Sequence, residues 1–396
     1  MKKIIFIDDS GEIGGAEKVL LSLLENLNRD IYLPEVIVGT EGNFKNRIEN
    51  LGIKCYLIQM HEWKTMELKI NALTVYKPLA FLYNFLSFLH ISCRLLFFFY
   101  QSNRKTNIDF IHTNGIKSQI CASFAAKILG IKIIWHEHTI QPSGLRRLII
   151  GLMGNLFPER IIAVSNAVKN SYCFYLKNLK KIVTIHNGIY FNKTYISSDR
   201  IANIKEKFGI PKNVPVVGMA SFLRPWKGHE VFLKAAKIVV SVFKNVKFLI
   251  VGNTQFKKEH WYKNYLLELS KDLGISEYVY FLGFLEDPIT VIAMLDILIS
   301  ASVLEDPFPT VILEAQASAV PVIATNIGGS KEIIEDGITG YLIPPGDENT
   351  LAQKICMLLN DPVKRIQMGY QGRKRIESNF TIVKFVREIE RVYSSL

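Results

Sequence analysis

The chain alternates short apolar runs with longer amphipathic stretches, and it does so in two successive series. In chain order, the runs that fit buried strands are Lys3–Ile7, Pro34–Val38, Lys54–Ile58, Phe110–His112, Lys132–Trp135, Ile161–Val164, Ile182–Ile185, Val214–Ala220, Val246–Val251, Val279–Leu282, Ile297–Ser300, Pro321–Ala324 and Tyr341–Ile343. Continuous apolar strands that alternate with helices are typical of parallel sheets covered on both faces. The sequence therefore predicts an α/β protein with two doubly wound, Rossmann-like domains.

The division between the two series follows from a change in composition. Asn187-Gly188 ends the first series, and the polar stretch Tyr190–Arg200 suits a linker. We therefore place the first domain at residues 1–195 and the second at residues 196–375. A last helix in residues 376–396 is expected to return to the first domain. Ligand sites of such sheets lie beyond the carboxyl ends of the strands, which predicts a cleft shared by the domains.

The charge balance restricts the partners of the chain. Its 396 residues carry 48 Lys and Arg against 36 Asp and Glu, a net charge of +12, and 49% are hydrophobic. That hydrophobic content excludes a disordered chain. The positive charge favours an anionic partner, namely a phosphorylated small molecule, an anionic membrane or a nucleic acid. Nucleic acid fits poorly, because the basic residues form no dense patch interleaved with aromatic residues.

Two further features bear on the compartment. The five cysteines are scattered and include no C-x-x-C pair, which argues against disulfides or structural zinc and fits a reducing cytosol. The N-terminus has only a short apolar run before Asp8 and Asp9, which suits a first strand rather than a signal peptide. We therefore expect a cytoplasmic protein.

The segment Leu73–Tyr100 is unusually apolar and aromatic. Its uncharged window of about 16 residues is slightly short for a membrane-spanning helix. One interpretation is one or two helices that lie in a membrane interface, with basic residues meeting lipid headgroups. Those basic residues are Lys77, Arg94, Arg104 and Lys105. The other interpretation is a helix pair packed on the sheet of the first domain.

Acidic residues surround the start of one helix in the second series. Glu305 and Asp306 follow the strand Ile297–Ser300, and Glu314 comes eight positions after Asp306, one turn into a helix. A helix N-terminus attracts phosphate, and carboxylates accept hydrogen bonds from sugar hydroxyls. The same acids would also serve as ordinary helix caps. The pair alone leaves both interpretations open.

Three other junctions between a predicted strand and helix carry polar or glycine residues. Gly14-Gly15 opens the first helix, His138 follows a strand in the sequence WHEHT, and Arg224 and Lys227 precede a helix that Gly228 opens. Glycine lets backbone approach a ligand closely, and cations at a helix entry suit a diphosphate. A tight turn, a solvated strand end and surface cations are the corresponding structural alternatives.

Several familiar catalytic motifs are missing from the sequence. It contains no G-x-x-x-x-G-K-[ST], no G-x-S-x-G and no H-E-x-x-H. It also lacks D-x-D, which weakens the case for a metal-dependent diphosphate site. We therefore expect neither a metal nor another cofactor.

In their order, the motifs of the chain resemble the glycosyltransferase family 4 enzymes, which are retaining sugar transferases of GT-B fold that use nucleotide sugars. The resemblance rests on GGAE, then PWKG, VGN, FLGF, EDPFPTVILEA, PVIAT, GGSKEII and GYLIPPGD, from Gly14 to Asp347. It implies two Rossmann-like domains facing across a cleft. The first would hold the acceptor, and the second would bind the nucleotide sugar.

The resemblance also assigns residues. Those matching positions near the transferred sugar and diphosphate are His138, Asp306, its neighbour Glu305, Lys227 and Arg224. Those matching donor-binding positions are Gly14, Gly15, Lys227, Gly252, Gly283, Phe284, Phe308, Pro309, Thr310, Val311 and Glu314, with Glu314 on the nucleotide ribose. The implied donor is a UDP- or GDP-linked sugar.

Three positions depart from the family pattern. Asp306 stands where Glu is usual, so either Asp306 or Glu305 would face the sugar. Phe222 replaces the usual arginine, which leaves Arg224 as a substitute. Pro309 removes one N–H donor near the diphosphate, so the site would depend more on the N–H groups of Thr310 and Val311.

The implied reaction moves a sugar to a hydroxyl of an acceptor. The apolar segment and the positive charge favour a lipid-linked or oligosaccharide acceptor on the inner face of a membrane, in surface polysaccharide or lipopolysaccharide assembly. Two alternatives remain at this point. One is a nucleotide-sugar epimerase on the same fold, and the other is a non-catalytic partner at the membrane.

Overall fold

A computed structural model of the chain contains two parallel β-sheets, one of seven strands and one of six, and a separate two-stranded antiparallel sheet. The structure describes residues 1–61, 63, 67–70, 73–76, 78–141, 143–173, 175–190, 198–254, 259–285 and 288–396, and gives only the backbone of residues 67–70, 73–76, 145 and 198. The chain forms two compact units, Met1–His186 with Val386–Leu396, and Asn187–Phe385.

The first unit contains the seven-stranded sheet. Its strands are β1 (Lys2–Asp8), β2 (Tyr32–Val38), β3 (Lys54–Leu57), β6 (Phe110–Thr113), β7 (Lys132–Glu137), β8 (Arg160–Ala163) and β9 (Ile182–Thr184), and the antiparallel pair is β4 (Glu67–Ile70) with β5 (Leu73–Tyr76). The sheet order is β3-β2-β1-β6-β7-β8-β9. The strand order therefore reverses between β1 and β6. Ile4, Ile5, Phe6 and Ile7 of β1 are all fully buried, as expected for a strand covered on both faces.

Helices connect these strands. They are α1 (Gly15–Asn26), α2 (Asn43–Asn50), α3 (Pro78–Lys105), α4 (Ile116–Leu129), α5 (Leu145–Leu156) and α6 (Asn166–Cys173). The C-terminal residues of the chain also belong to this unit. The ring of Tyr393 is fully buried and packs against the rings of Phe110 and Tyr32, at centroid distances of 4.9 and 5.6 Å.

The second unit contains the six-stranded sheet. Its strands are β10 (Val216–Ala220), β11 (Lys247–Val251), β12 (Val279–Gly283), β13 (Ile297–Ser300), β14 (Val322–Thr325) and β15 (Gly340–Ile343). The order is β12-β11-β10-β13-β14-β15, and every pairing is parallel. Here the order reverses between β10 and β13.

The helices of the second unit are α7 (Ser198–Lys207), α8 (His229–Val242), α9 (His260–Asp272), α10 (Ile289–Ile292), α11 (Thr310–Ala317), α12 (Ser330–Ile333), α13 (Glu348–Asn360) and α14 (Pro362–Asn379), and α15 (Ile382–Ser394) runs from this unit into the first. A short 3-10 helix, Pro225–Lys227, precedes α8. The core of the unit is a single cluster in which Phe232, Phe248 and Ile297 are fully buried.

Every strand that the sequence predicted in the two series is present, with ends that differ by at most a few residues. The expectation of a helix from Leu73 was wrong. Leu73–Tyr76 is strand β5, paired with β4, and one helix of 28 residues begins at Pro78. Thr74 and Val75 favour a strand, and proline fits the first turn of a helix because its missing N–H has no partner there anyway.

The boundaries of the two units differ from the domain boundaries that the sequence composition predicted. The first unit ends at His186 instead of residue 195, and the chain rejoins it at Val386 instead of residue 376. The reason is a local pairing within the second unit, where Ile189 donates its N–H to the carbonyl of Phe380 and receives the N–H of Ile382. Of the proposed linker Tyr190–Arg200, residues 191–197 lie outside the described residues, as does Lys77.

Candidate active site

In the second unit, the predicted site residues follow the two strands between which the strand order reverses. Lys227 lies in the loop after β10, and Asp306 lies in the loop after β13. In doubly wound sheets the loops after such a strand pair leave the sheet in opposite directions, and ligands bind in the crevice between them. This topology makes the C-terminal edge at β10 and β13 the candidate ligand site of the second unit.

Lys227 and Asp306 meet at this edge. The Lys227 Nζ lies 2.5 Å from Asp306 Oδ2 and 4.2 Å from the centre of the Trp226 ring. The Asp306 side chain is buried, whereas Glu305 beside it is exposed. The N–H of Val303 bonds to the carbonyl of Trp226, which ties the two loops together through their backbones as well.

Two glycines of the loop after β14 pack against the backbone of Asp306 and Pro307. Gly329 donates its N–H to the carbonyl of Asp306 at 2.8 Å, and Gly328 has a positive φ of 57°. A Cβ at Gly328 would lie 2.1 Å from the Asp306 carbonyl oxygen, and one at Gly329 would lie 2.2 Å from that of Pro307. No side chain fits there unless the loop that carries Asp306 moves.

Helix α11 begins directly after this loop. Pro309 is its N-cap residue, and Thr310 and Val311 form its first turn, in which N–H groups have no acceptor within the helix. Glu314 is half-buried, one turn further along. A half-buried first turn with a carboxylate one turn behind it can bind a phosphate and a hydroxylated group at the same time. Phe308 is buried and packs 5.9 Å from the ring of Phe380, so it belongs to the hydrophobic core.

Arg224 has a different partner from Lys227. Its Nε lies 3.5 Å from Oε1 of Glu259, just before α9. This contact was not predictable from the sequence, because Glu259 and Arg224 lie 35 residues apart and no motif links them. The ion pair holds the Arg224 side chain at Glu259.

The remaining donor-site candidates lie at the ends of β11 and β12. The N–H of Gly252 donates to the carbonyl of Gly283 at 2.7 Å, and both glycines have positive φ. A Cβ at Gly252 would lie 1.9 Å from the carbonyl oxygen of Ser221. Phe284, the next residue after β12, is 62% exposed. Gly252 therefore holds two strand ends together, while Phe284 presents its ring at the surface.

In the first unit, the glycine turn lies between β1 and α1. Gly14 is buried and donates its N–H to Oε2 of Glu17 at 2.8 Å, which closes the start of the helix. Gly15 is exposed, and a Cβ there would meet nothing within 4 Å. Burial, with added repulsion from Glu17 and Asp9, raises the pKa of Asp8 well above its ordinary value.

His138 lies next to this turn and contacts it through Asn114, which follows β6. The Asn114 Nδ2 donates to Asp8 Oδ2 at 2.6 Å and to the carbonyl of Ala16 at 3.4 Å. A carbonyl only accepts hydrogen bonds, so the amide NH₂ must point this way, and Asn114 Oδ1 then faces His138 Nε2 at 2.8 Å. His138 therefore carries its proton on Nε2, and Nδ1 is left as an acceptor.

The environment of His138 keeps it neutral. Burial lowers the pKa of His138 to about 3, so near pH 7 the ring has one donor and one acceptor. The ring of His136 lies 4.3 Å away, which agrees with the prediction that both histidines share one face of the strand. Glu137 points to the other side, where burial raises its pKa to about 7.

The sequence did not indicate Asn114 or Asp8 as site residues. The strand–Asn-Gly pattern of Thr113–Gly115 is typical of an ordinary turn. In the structure, the Asn114 side chain also connects Asp8 to His138. Among the described residues, no group of three or more His, Cys, Asp or Glu side chains is arranged to hold a metal ion.

Two families match the two halves of the chain. Residues 13–192 match Glycosyltransferase Family 4, and residues 200–375 match Glycosyl transferases group 1. Together these matches include the glycine turn, His138 and all the residues at the edge formed by β10 and β13.

Individual proteins agree with these matches. The chain is 31% identical over 301 residues to N-acetyl-alpha-D-glucosaminyl L-malate synthase of Bacillus anthracis, which covers 73% of this chain and 75% of that protein. It is 27% identical over 309 residues to the Escherichia coli UDP-Gal:alpha-D-GlcNAc-diphosphoundecaprenol alpha-1,3-galactosyltransferase, covering 74% and 77%. The crystal structure of Anabaena Alr3699/HepE with UDP and glucose superposes over the full length of both chains, with a TM-score of 0.84 and 26% identity.

Proposed function

Because this chain belongs to the family 4 glycosyltransferases, enzymes of the GT-B fold, we propose that it transfers a hexose from a UDP-linked donor to a lipid-linked glycan, with retention at the anomeric carbon. The observation that carries the proposal is the Lys227–Asp306 pair beside the first turn of α11. It places a cation, the N–H groups of a helix first turn and carboxylates at one sheet edge. UDP is favoured as the carrier because the similar Anabaena protein binds UDP and glucose.

In the proposed reaction, the acceptor oxygen bonds to the anomeric carbon as the bond from that carbon to the diphosphate breaks. The proton of the acceptor hydroxyl passes to the departing phosphate oxygen, on the same face of the sugar. Lys227 and the first turn of α11 stabilise the negative charge that grows on the diphosphate. Glu314 accepts hydrogen bonds from the ribose, Asp306 from the sugar, and His138 Nδ1 from a sugar hydroxyl. No metal is assigned to the site.

A panel of nucleotides tests the donor. UDP is expected to raise the melting temperature of the protein more than GDP does, because binding to the folded state alone stabilises it. Glu314→Gln is expected to weaken UDP binding by about 10- to 100-fold, the usual range for one hydrogen bond to a charged group. Calorimetric titration measures the affinity, and Glu268→Gln, an exposed glutamate on α9, is the matched control.

Two results of this panel would contradict the proposal. Stabilisation by GDP and not by UDP would overturn the choice of base. A UDP-sugar that is altered while still attached to UDP, without transfer to a membrane lipid extract, would overturn the transfer itself.

The membrane part of the proposal rests on helix α3, whose first half exposes apolar residues and buries polar ones. Asn84 and Ser87 are buried, whereas Leu79, Leu82 and Leu86 are 80%, 51% and 56% exposed. The second half has the ordinary pattern and buries apolar residues such as Leu95. Exposed apolar surface of this extent marks an interaction site.

This apolar surface continues onto the neighbouring helices through ring contacts. Phe88 of α3 lies 5.0 Å from Phe124 of α4, which lies 4.8 Å from Phe157 at the end of α5. Helices α3, α4 and α5 contain no Asp or Glu; their charged residues are Arg94, Arg104, Lys105, Lys117, Lys127, Arg146 and Arg147. Apolar helices whose charged residues are all basic suit an anionic bilayer. We place the protein on the inner face of the cell membrane, where a lipid-linked acceptor would be within reach.

Helix α3 is long and apolar enough to cross a membrane, by length and composition alone. Its buried residues instead form a stripe along the helix, at Asn84, Ser87, Ile91, Leu95 and Phe99, in the first unit. A helix packed in this way along its length suits binding parallel to the bilayer surface.

Vesicle flotation tests this surface. The protein is expected to float with phosphatidylglycerol-containing vesicles and not with phosphatidylcholine vesicles. Leu86→Glu is expected to lower vesicle binding by at least about tenfold, since it removes about 1.5 kcal/mol or more of apolar burial and adds a repelled charge. Val242→Glu, at an exposed apolar residue on α8 of the second unit, serves as the control. Equal losses in the two variants, or equal binding to both vesicle types, would show that α3 does not meet an anionic membrane.

A further inference from the structure

A line of buried side chains in the first unit runs from the last helix of the chain to His138. The Tyr393 hydroxyl lies 2.7 Å from His112 Nδ1, and His112 Nε2 lies 3.2 Å from His136 Nδ1. The rings of His136 and His138 then lie 4.3 Å apart, tilted by 40°. Tyr393 and His112 are fully buried, and His136 is 1% exposed.

His112 and His136 are both neutral near pH 7. Burial, with an added contribution from His138, lowers the pKa of His112 to about 3 and that of His136 well below its ordinary value. Burial also raises the pKa of Tyr393 well above its ordinary value, so its hydroxyl keeps its proton. Each imidazole therefore has one N–H donor and one acceptor nitrogen.

The chemistry of the groups in contact favours one direction for the hydrogen bonds. The Tyr393 hydroxyl lies 2.7 Å from His112 Nδ1, and either group could be the donor. A phenol O–H is a stronger donor than an imidazole N–H, and an imidazole nitrogen is a stronger acceptor than a phenol oxygen, so donation from Tyr393 to His112 Nδ1 is favoured. His112 then carries its own proton on Nε2 and donates it to His136 Nδ1. His136 in turn carries its proton on Nε2. One phenol hydroxyl thus sets the tautomers of two histidines in succession.

We propose that Tyr393 and His112 are positioning residues for His138, which fix the tautomer and the ring plane of His136 so that His136 supports the ring of His138. Asn114 holds His138 through its Nε2 edge, and the ring of His136 packs against its face. These two contacts together fix the direction in which His138 Nδ1 points. The effect of Tyr393 and His112 on catalysis rests on the proposed function. Their effect on the histidine tautomers is independent of it.

Tyr393→Phe tests the line, with Tyr32→Phe as the matched control. Tyr32 is a buried tyrosine whose ring packs 5.6 Å from that of Tyr393, and it is not part of the line. With histidine labelled by ¹⁵N, long-range ¹H–¹⁵N spectra report each tautomer. Tyr393→Phe is expected to end the single Nε2–H state of His112 and His136, and Tyr32→Phe is expected to preserve it.

Kinetics provide the second measurement. Tyr393→Phe is expected to lower kcat about fivefold, the effect of losing one ordinary hydrogen bond, while KM for the donor changes less than about twofold. His112→Gln, which retains an acceptor and a donor, is expected to restore more activity than His112→Leu. The comparison of these two His112 variants also tests the inference if the Tyr393→Phe variant does not fold.

Unchanged histidine tautomers in Tyr393→Phe, or equal loss of kcat in Tyr393→Phe and Tyr32→Phe, would overturn the inference. A wild-type protein that transfers no sugar from any donor would instead overturn the proposed function. In that case the spectra would still decide whether Tyr393 sets the tautomers.

Discussion

Replacing Lys227 with alanine is expected to lower the kcat of sugar transfer by about 100- to 1000-fold, the loss typical of removing one preorganised charge from a developing anion. The Nζ of Lys227 is held by Asp306 at 2.5 Å and rests over the Trp226 ring, so it does not have to reorganise when the diphosphate leaves. Affinity for UDP should fall less than kcat, because the charge grows only as the bond breaks.

The Lys227→Ala variant also leaves Asp306 buried without its cation, which is expected to lower the melting temperature. Rates should therefore be compared at a temperature where circular dichroism shows both proteins folded. Lys234→Ala removes an exposed lysine from the adjoining helix α8 and is expected to leave kcat unchanged. A kcat for folded Lys227→Ala within a few-fold of wild type would show that Lys227 does not act on the leaving group.

The second large effect is expected for Asp306→Asn, which keeps the side-chain size and removes the charge. We expect kcat to fall by about 100-fold, because the variant has only a weaker, neutral acceptor for the sugar and no anion to hold Lys227. Transfer of labelled sugar to a membrane lipid extract measures the rate, and titration with UDP separates donor binding from chemistry.

Glu305→Gln is the control for this variant, one position away. Glu305 is exposed while Asp306 is buried, so the loss of the Glu305 charge is expected to change kcat by no more than about twofold. If Glu305→Gln instead proved the more damaging of the two, the exposed acid would be the one that faces the sugar.

The fold was predictable because its signals are local. The central strands of the two sheets are short apolar runs, because burial on both faces demands such a run wherever it lies in the chain. The antiparallel pair β4–β5 was missed because Leu73–Tyr76 is as apolar as the helix that follows it, and only Lys77 separates the two in the sequence.

The site was predictable only in part. The glycine turn, His138, Lys227 and Asp306 each lie in the segment that follows a strand, where the topology of a parallel sheet places ligand-binding residues. The orientation of each acid was not predictable, because Glu305 and Asp306 are neighbours with the same chemistry. The structure distinguishes them: Gly328 and Gly329 pack on the Asp306 backbone from a loop more than twenty residues away, and the Asp306 side chain is buried whereas Glu305 is exposed.

The sequence by itself determined that this chain forms two parallel sheets with helices between the strands, and that polar and glycine residues follow particular strands. Only the tertiary structure decided which of them meet. Lys227 pairs with Asp306, Arg224 with Glu259, and Tyr393 with His112, across separations of 79, 35 and 281 residues. Periodicity records which face of an element is buried, because that depends on neighbours a few residues away. Contacts between loops depend instead on the order of the strands in the sheet, which no local pattern contains.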